Sequence, residues 1–91
     1  MKHEELVAEL EELARRLGVT VRYEKGDFEG GFCILRDQRL VLVNKKLTPQ
    51  RKASVLALAM QDLGLDSVFV KPALRAYIED EVARTLRSAQ P

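Results

Sequence analysis

The segment from Thr48 to Gly64 constrains the fold most, because it predicts a helix that is apolar around most of its circumference. Thr48 is a typical N-cap, Pro49 suits the first helical position, and Gly64 predicts the end of the helix. The apolar positions between them are Ala53, Val55, Leu56, Ala57, Leu58, Ala59, Met60 and Leu63. A helix with this pattern is buried on more than one side, so it is predicted to lie in the core.

Two further helices flank this segment in the sequence. Leu6, Leu10, Leu13 and Leu17 recur at helical spacing, and Gly18 follows them where a left-handed residue commonly ends a helix. The last helix is predicted to begin near Pro72, and its apolar stripe consists of Leu74, Tyr77, Ile78, Val82 and Leu86.

Three predicted strands lie between the first two helices. Residues 19–25 alternate between apolar and polar side chains, as a half-exposed strand does. Residues 32–35 and 40–43 are apolar on both faces, which is typical of central strands. The connections are short, so an antiparallel meander is expected. The predicted fold is α+β in the order α-β-β-β-α-α, a single domain over residues 1–91 with the meander packed on helices.

Composition limits the classes of partner and compartment. The 91 residues carry a net charge of +1, which argues against a strongly electrostatic partner such as duplex DNA. Cys33 is the single cysteine, and no apolar run is long enough to span a bilayer, so a cytoplasmic protein without a membrane partner is expected. One asparagine among many arginine, glutamate and leucine residues is typical of a heat-adapted source.

The residues that carry chemistry do not form a recognisable catalytic or metal-binding pattern. His3 is the only histidine and is predicted to be a solvated terminal residue, because the other ligands of a metal site are missing. Cys33 lies in an apolar strand, where a thiol is usually an inert small hydrophobic group. Asp27 and Glu29 are interpreted as solvated turn residues. No catalytic residue, metal or cofactor is therefore predicted, and the chain is expected not to be an enzyme.

Basic side chains surround the start of the second predicted helix. Residues 19–52 hold eight basic and four acidic groups, so the middle of the chain is its basic part. The candidate anion-binding residues are Lys45, Lys46, Arg51 and Lys52. Backbone N–H groups at a helix start favour anions, which makes anion or nucleic-acid binding through this basic patch an alternative function. Nucleic acid is an unlikely ligand, because no exposed aromatic residue is predicted there for stacking on bases.

An apolar segment late in the chain is the candidate interface. Its residues are Val68, Phe69, Val70, Leu74, Tyr77 and Ile78. If the first two helices already cover the sheet, part of this segment remains free for a partner; the alternative is ordinary core. The leading hypothesis is a non-enzymatic interaction module that forms a homodimer through this surface, while another protein partner stays open.

Several local features resemble the ImmA/IrrE family of bacterial metallopeptidases. The matching stretches are residues 13–19, 30–32, 41–44 and 51–63. The resemblance implies a small domain with a helix, a small antiparallel sheet, and a helix that bears the zinc-binding HExxH motif in the family. At that motif this chain has Leu58-Ala59-Met60-Gln61-Asp62, so both histidine ligands and the glutamate base are missing. A metal-free relative is therefore expected, with the helix packed as core.

Overall fold

The computed structural model describes residues 1–89 and contains six elements in the predicted order. They are α1 (His3–Arg16), β1 (Thr20–Glu24), β2 (Gly30–Leu35), β3 (Gln38–Asn44), α2 (Pro49–Leu63) and α3 (Pro72–Ala89). Gly18 has a φ of 73° after α1, and the Thr48 hydroxyl accepts a hydrogen bond from the Arg51 N–H at 3.3 Å. The α+β class, the element order and the ends of α1 and α2 are therefore confirmed.

The sheet is mixed, which corrects the predicted antiparallel meander. The strand order is β1-β3-β2, with β1 parallel and β2 antiparallel to β3. The two-residue turn Arg36-Asp37 forces β2 and β3 to pair, whereas residues 25–29 are long enough to cross over the end of β3. Strand β3 therefore takes the centre. The prediction of a central strand at residues 32–35 was wrong, because β2 lies at an edge.

Asn44, at the end of β3, fastens the crossing loop. Its side-chain amide donates hydrogen bonds to the carbonyl oxygens of Gly26 at 2.8 Å and Phe28 at 2.7 Å. Its Oδ1 accepts a hydrogen bond from the Lys46 N–H at 3.0 Å. The loop then enters β2 at Gly30, whose φ is 132° and where a Cβ would collide with the Leu42 carbonyl oxygen. Glycine is required there because the loop backbone passes so close to β3.

Helix α2 occupies the middle of the molecule. It packs against α1, against β2 and β3 of the sheet, and against α3. Its buried residues are Ala53, Val55, Leu56, Ala57, Ala59 and Met60. They meet the α1 stripe around Leu10 and Leu13, and the sheet residues Val41 and Val43. The prediction that this helix is packed core is confirmed, and its near-complete apolar surface follows from having neighbours on three sides.

Candidate functional site

The predicted late interface is divided by the structure. Val70, Leu74 and Ile78 are between 1% and 4% exposed and belong to the core, so their assignment to an exposed interface is corrected. Leu74 and Ile78 are buried because α3 packs its stripe on α2, and Val70, just before α3, joins the same core cluster. Phe69 is 71% exposed, and Val68 and Tyr77 are half-buried against the core. Of the six predicted interface residues, only these three keep a side chain at the surface.

The predicted anion-binding residues have separate neighbours. Arg51 forms an ion pair with Glu29, while Lys52 places its Nζ 5.4 Å from the centre of the Tyr23 ring. Lys45 and Lys46 are exposed in the turn before α2. Arg51 and Lys52 are thus engaged with different partners, one in the loop before β2 and the other on β1.

Exposed apolar side chains gather instead around β2. Ile34 is 67% exposed, Leu35 is 53% exposed, and Phe28 just before the strand is 37% exposed. On the face of the sheet opposite the helices, Phe28, Cys33, Leu35 and Leu42 line a shallow groove of about 580 Å³. Arg22, Glu24 and Lys25 border it. Cys33, expected to be buried, is half-buried and faces this groove.

The two edge strands of the sheet differ in their protection. In β1, Arg22 and Glu24 form an ion pair at 2.7 Å, and charged side chains on an edge discourage pairing with another chain. The other edge strand, β2, has the sequence Gly-Gly-Phe-Cys-Ile-Leu and carries no charge or proline. This strand is an unprotected edge, which is the feature natural proteins usually avoid unless the edge is paired.

The free edge of β2 exposes backbone hydrogen-bonding groups. The Glu29 carbonyl accepts a hydrogen bond from the Asn44 N–H at 2.9 Å, so the odd-numbered residues of β2 bond to β3. By alternation, the N–H and C=O groups of Phe32 and Ile34 point away from the sheet. Within residues 1–89, no backbone group from another element hydrogen-bonds to them.

A second surface feature is a polar cleft between α2 and α3. Its volume is about 570 Å³, and His3 at the start of α1 reaches its border. Ser54 and Arg51 line it from α2, and Glu81 and Arg84 line it from α3. Glu81 is only 6% exposed; it accepts a hydrogen bond from the Ser54 hydroxyl at 2.7 Å and pairs with Arg84 at 3.1 Å. A buried carboxylate is uncommon and needs such partners.

Tyr77 also lines this cleft, and its environment keeps the hydroxyl protonated. Partial burial, and then the negative charge of Glu81, raise its pKa to about 12, against an opposing effect of Arg84. The phenol therefore remains a neutral hydrogen-bonding group at any physiological pH.

Sequence reasoning missed the cleft, although one signal was present. Glu81 follows Leu74, Tyr77 and Ile78 at helical spacing, so it occupies a position of the apolar stripe of α3. A charged residue at such a position indicates a buried charge with a partner. His3 is exposed, as expected for a terminal residue, but its place beside the cleft depends on how α1 packs on α2.

The described residues contain no group of three or more His, Cys, Asp or Glu side chains placed to hold a metal ion. In the same part of the chain, no helix is long and apolar enough to cross a membrane. Comparisons with protein-family models, with curated proteins and with solved structures gave no match.

Proposed function

We propose that the chain is a non-enzymatic interaction module that forms a homodimer by pairing the free edge of β2 with the same edge of a second copy. The observation that carries the proposal is the contrast between the two sheet edges. Charges protect β1, whereas β2 is uncharged, apolar and unpaired on one side. Strand addition at such an edge forms main-chain hydrogen bonds and buries the flanking side chains.

The occupant is a second copy because the edge is complementary to itself. Antiparallel pairing about a two-fold axis lets the outward N–H and C=O groups of Phe32 and Ile34 form hydrogen bonds with those of β2 in the second copy. The strand is preceded by Glu29 and followed by Arg36, so antiparallel pairing brings the acidic end of one strand near the basic end of the other. The apolar groove on the open face, with Phe28 and Leu35, then continues across both copies.

This proposal moves the interface from the late segment to β2. The late segment keeps one strongly exposed apolar residue, Phe69, while β2 and the loop before it hold three: Phe28, Ile34 and Leu35. Burial of apolar area at about 25 cal/mol per Å² favours the larger cluster.

The test is analytical ultracentrifugation over a range of concentrations, with two matched variants. Ile34→Lys places a charge at the β2 edge, and Phe69→Lys places one at an equally exposed site far along the chain. We expect a dimer for the natural sequence and for Phe69→Lys, and a monomer for Ile34→Lys. A natural chain that stays monomeric at high micromolar concentration would contradict the proposal. So would dissociation by Phe69→Lys alone, which would return the interface to the late segment.

Amide hydrogen exchange measures the protection of backbone N–H groups, which side-chain contacts alone would not change. We expect the Phe32 and Ile34 amides to exchange more slowly as the protein concentration rises, because pairing hydrogen-bonds them. The Phe69 amide is the control, and its exchange should not depend on concentration. Concentration-independent exchange at Phe32 and Ile34 in a chain that dimerises would exclude edge pairing.

A further inference from the structure

The polar cleft between α2 and α3 differs in its lining from the apolar groove on the sheet. Every residue that lines it carries a hydrogen-bonding side chain, whereas the groove on the open face of the sheet has an apolar floor. Pockets that bind small molecules fix their ligands with a few converging polar groups. Here the converging groups come from α2 and α3, with His3 of α1 at the border.

Glu81 organises this cleft from its base. Its side chain is 8% exposed, and its two oxygens are used by different partners: Oε2 accepts from Ser54, and Oε1 pairs with Arg84. The carboxylate therefore holds both side chains in place. Buried polar groups of this kind are more costly than an apolar core, so their presence in so small a protein points to a use beyond packing.

The two arginines provide the cleft with charged hydrogen-bond donors. Arg51 and Arg84 are 53% and 60% exposed at their side chains, and each is paired through one nitrogen, with Glu29 and Glu81 respectively. A guanidinium carries five N–H donors, so each retains donors for a ligand. With Glu29 and Glu81 counted, the two arginines are balanced in charge, so what they offer a ligand is their remaining N–H donors.

We propose that the cleft binds a small phosphate monoester, with the phosphate held by Arg51 and Arg84 and the hydroxylated remainder directed towards Ser54. Guanidinium groups bind phosphate oxygens through paired hydrogen bonds. The cleft also offers the hydroxyls of Thr85 and Ser88, so its donors exceed what a carboxylate can accept. The anion-binding alternative thus shifts from the start of α2 to the cleft that Arg51 lines together with residues of α3, and it does not depend on pairing at β2.

The test is an NMR titration of the full chain at constant ionic strength. The probes are glycerol 3-phosphate, inorganic phosphate and glycerol. We expect saturable shifts at the amides of Arg51, Ser54, Arg84 and Thr85 with glycerol 3-phosphate. Inorganic phosphate should bind more weakly at the same amides, and glycerol alone should cause no shift.

Three variants decide whether the arginines are responsible. Arg84→Gln and Arg51→Gln should each weaken binding of glycerol 3-phosphate by about tenfold or more, as the loss of a charged hydrogen bond does. Arg87→Gln removes an exposed arginine one turn further along α3, outside the cleft, and should leave binding unchanged. Arg51→Gln keeps the test valid if Arg84→Gln unfolds the chain by leaving Glu81 without its partner. Shifts that do not saturate, or an equal loss in Arg87→Gln, would overturn the proposal.

Discussion

At the scale of single residues, Asn44 decides how the chain crosses from β1 to β2. Its side chain forms three hydrogen bonds, two as donor to the loop carbonyls and one as acceptor from the Lys46 N–H. The residue is 9% exposed, so water does not readily replace these partners. Removing them leaves buried carbonyl groups without donors, which costs more than a hydrogen bond at the surface.

We expect Asn44→Ala to lower the free energy of unfolding by about 3 kcal/mol, as measured by urea denaturation. Asn44→Asp keeps the shape but loses both donors, and it should be at least as destabilising. The matched control is Gln38→Ala, an exposed amide at the start of the same strand, which should change stability by less than about 0.5 kcal/mol. Equal effects of the two alanine variants would show that Asn44 does not fasten the loop.

At the scale of elements, α2 carries the core and α3 contributes one stripe to it. Leu56 on α2 is fully buried, whereas Leu86 near the end of α3 is 61% exposed. The same leucine-to-alanine substitution at both sites therefore isolates the effect of burial on stability. We expect Leu56→Ala to cost about 3 kcal/mol of unfolding free energy and Leu86→Ala to stay within about 0.5 kcal/mol. A comparable loss at both sites, by thermal or urea unfolding, would contradict this layering.

The helices could be predicted from sequence because their signals are local. The Thr48-Pro49 start, the Gly18 and Gly64 ends, and the apolar spacing depend only on neighbours along the chain. The order of the strands in the sheet does not follow from local signals, since it depends on which strand is stabilised most by having a neighbouring strand on both sides. Residues 32–35 and 40–43 look equally apolar, and the pattern alone does not say which of them lies at the edge.

The candidate surfaces were harder to predict for the same reason. Strand β2 becomes a sheet edge only because β3 takes the centre. Glu81 and Arg51 lie far apart in sequence and line the same cleft only because α3 packs on α2. The late segment was assigned to an interface because apolar character alone does not distinguish core from exposed surface.

At the scale of the whole molecule, two tyrosines link stability to alkaline pH. Burial, followed by the charge of Glu81, raises the pKa of Tyr77 to about 12, from 10.0. Burial and a hydrogen bond to Glu11 also raise the pKa of Tyr23. The unfolded chain therefore releases these protons first, so their contribution to stability is complete below about pH 10 and is lost as pH rises towards the folded pKa.

We expect the free energy of unfolding to fall between about pH 10 and pH 12. Tyr77→Phe should reduce the steepness of that fall, because phenylalanine has no proton to release. All other groups are the same in both proteins and cancel in the comparison. Urea unfolding of the natural chain and of Tyr77→Phe across this range provides the measurement; parallel curves would rule out a contribution from Tyr77.

Because β3 lies between β1 and β2 in the sheet, we also expect an order in which the strands pair during folding. The β2–β3 hairpin closes through two residues, which is a fast local event, whereas the parallel partner of β1 lies about twenty residues further along the chain. During synthesis β1 leaves the ribosome before β3 exists, so it has no strand to join until Gln38–Asn44 has been made. We therefore expect the hairpin to form before β1 pairs with β3.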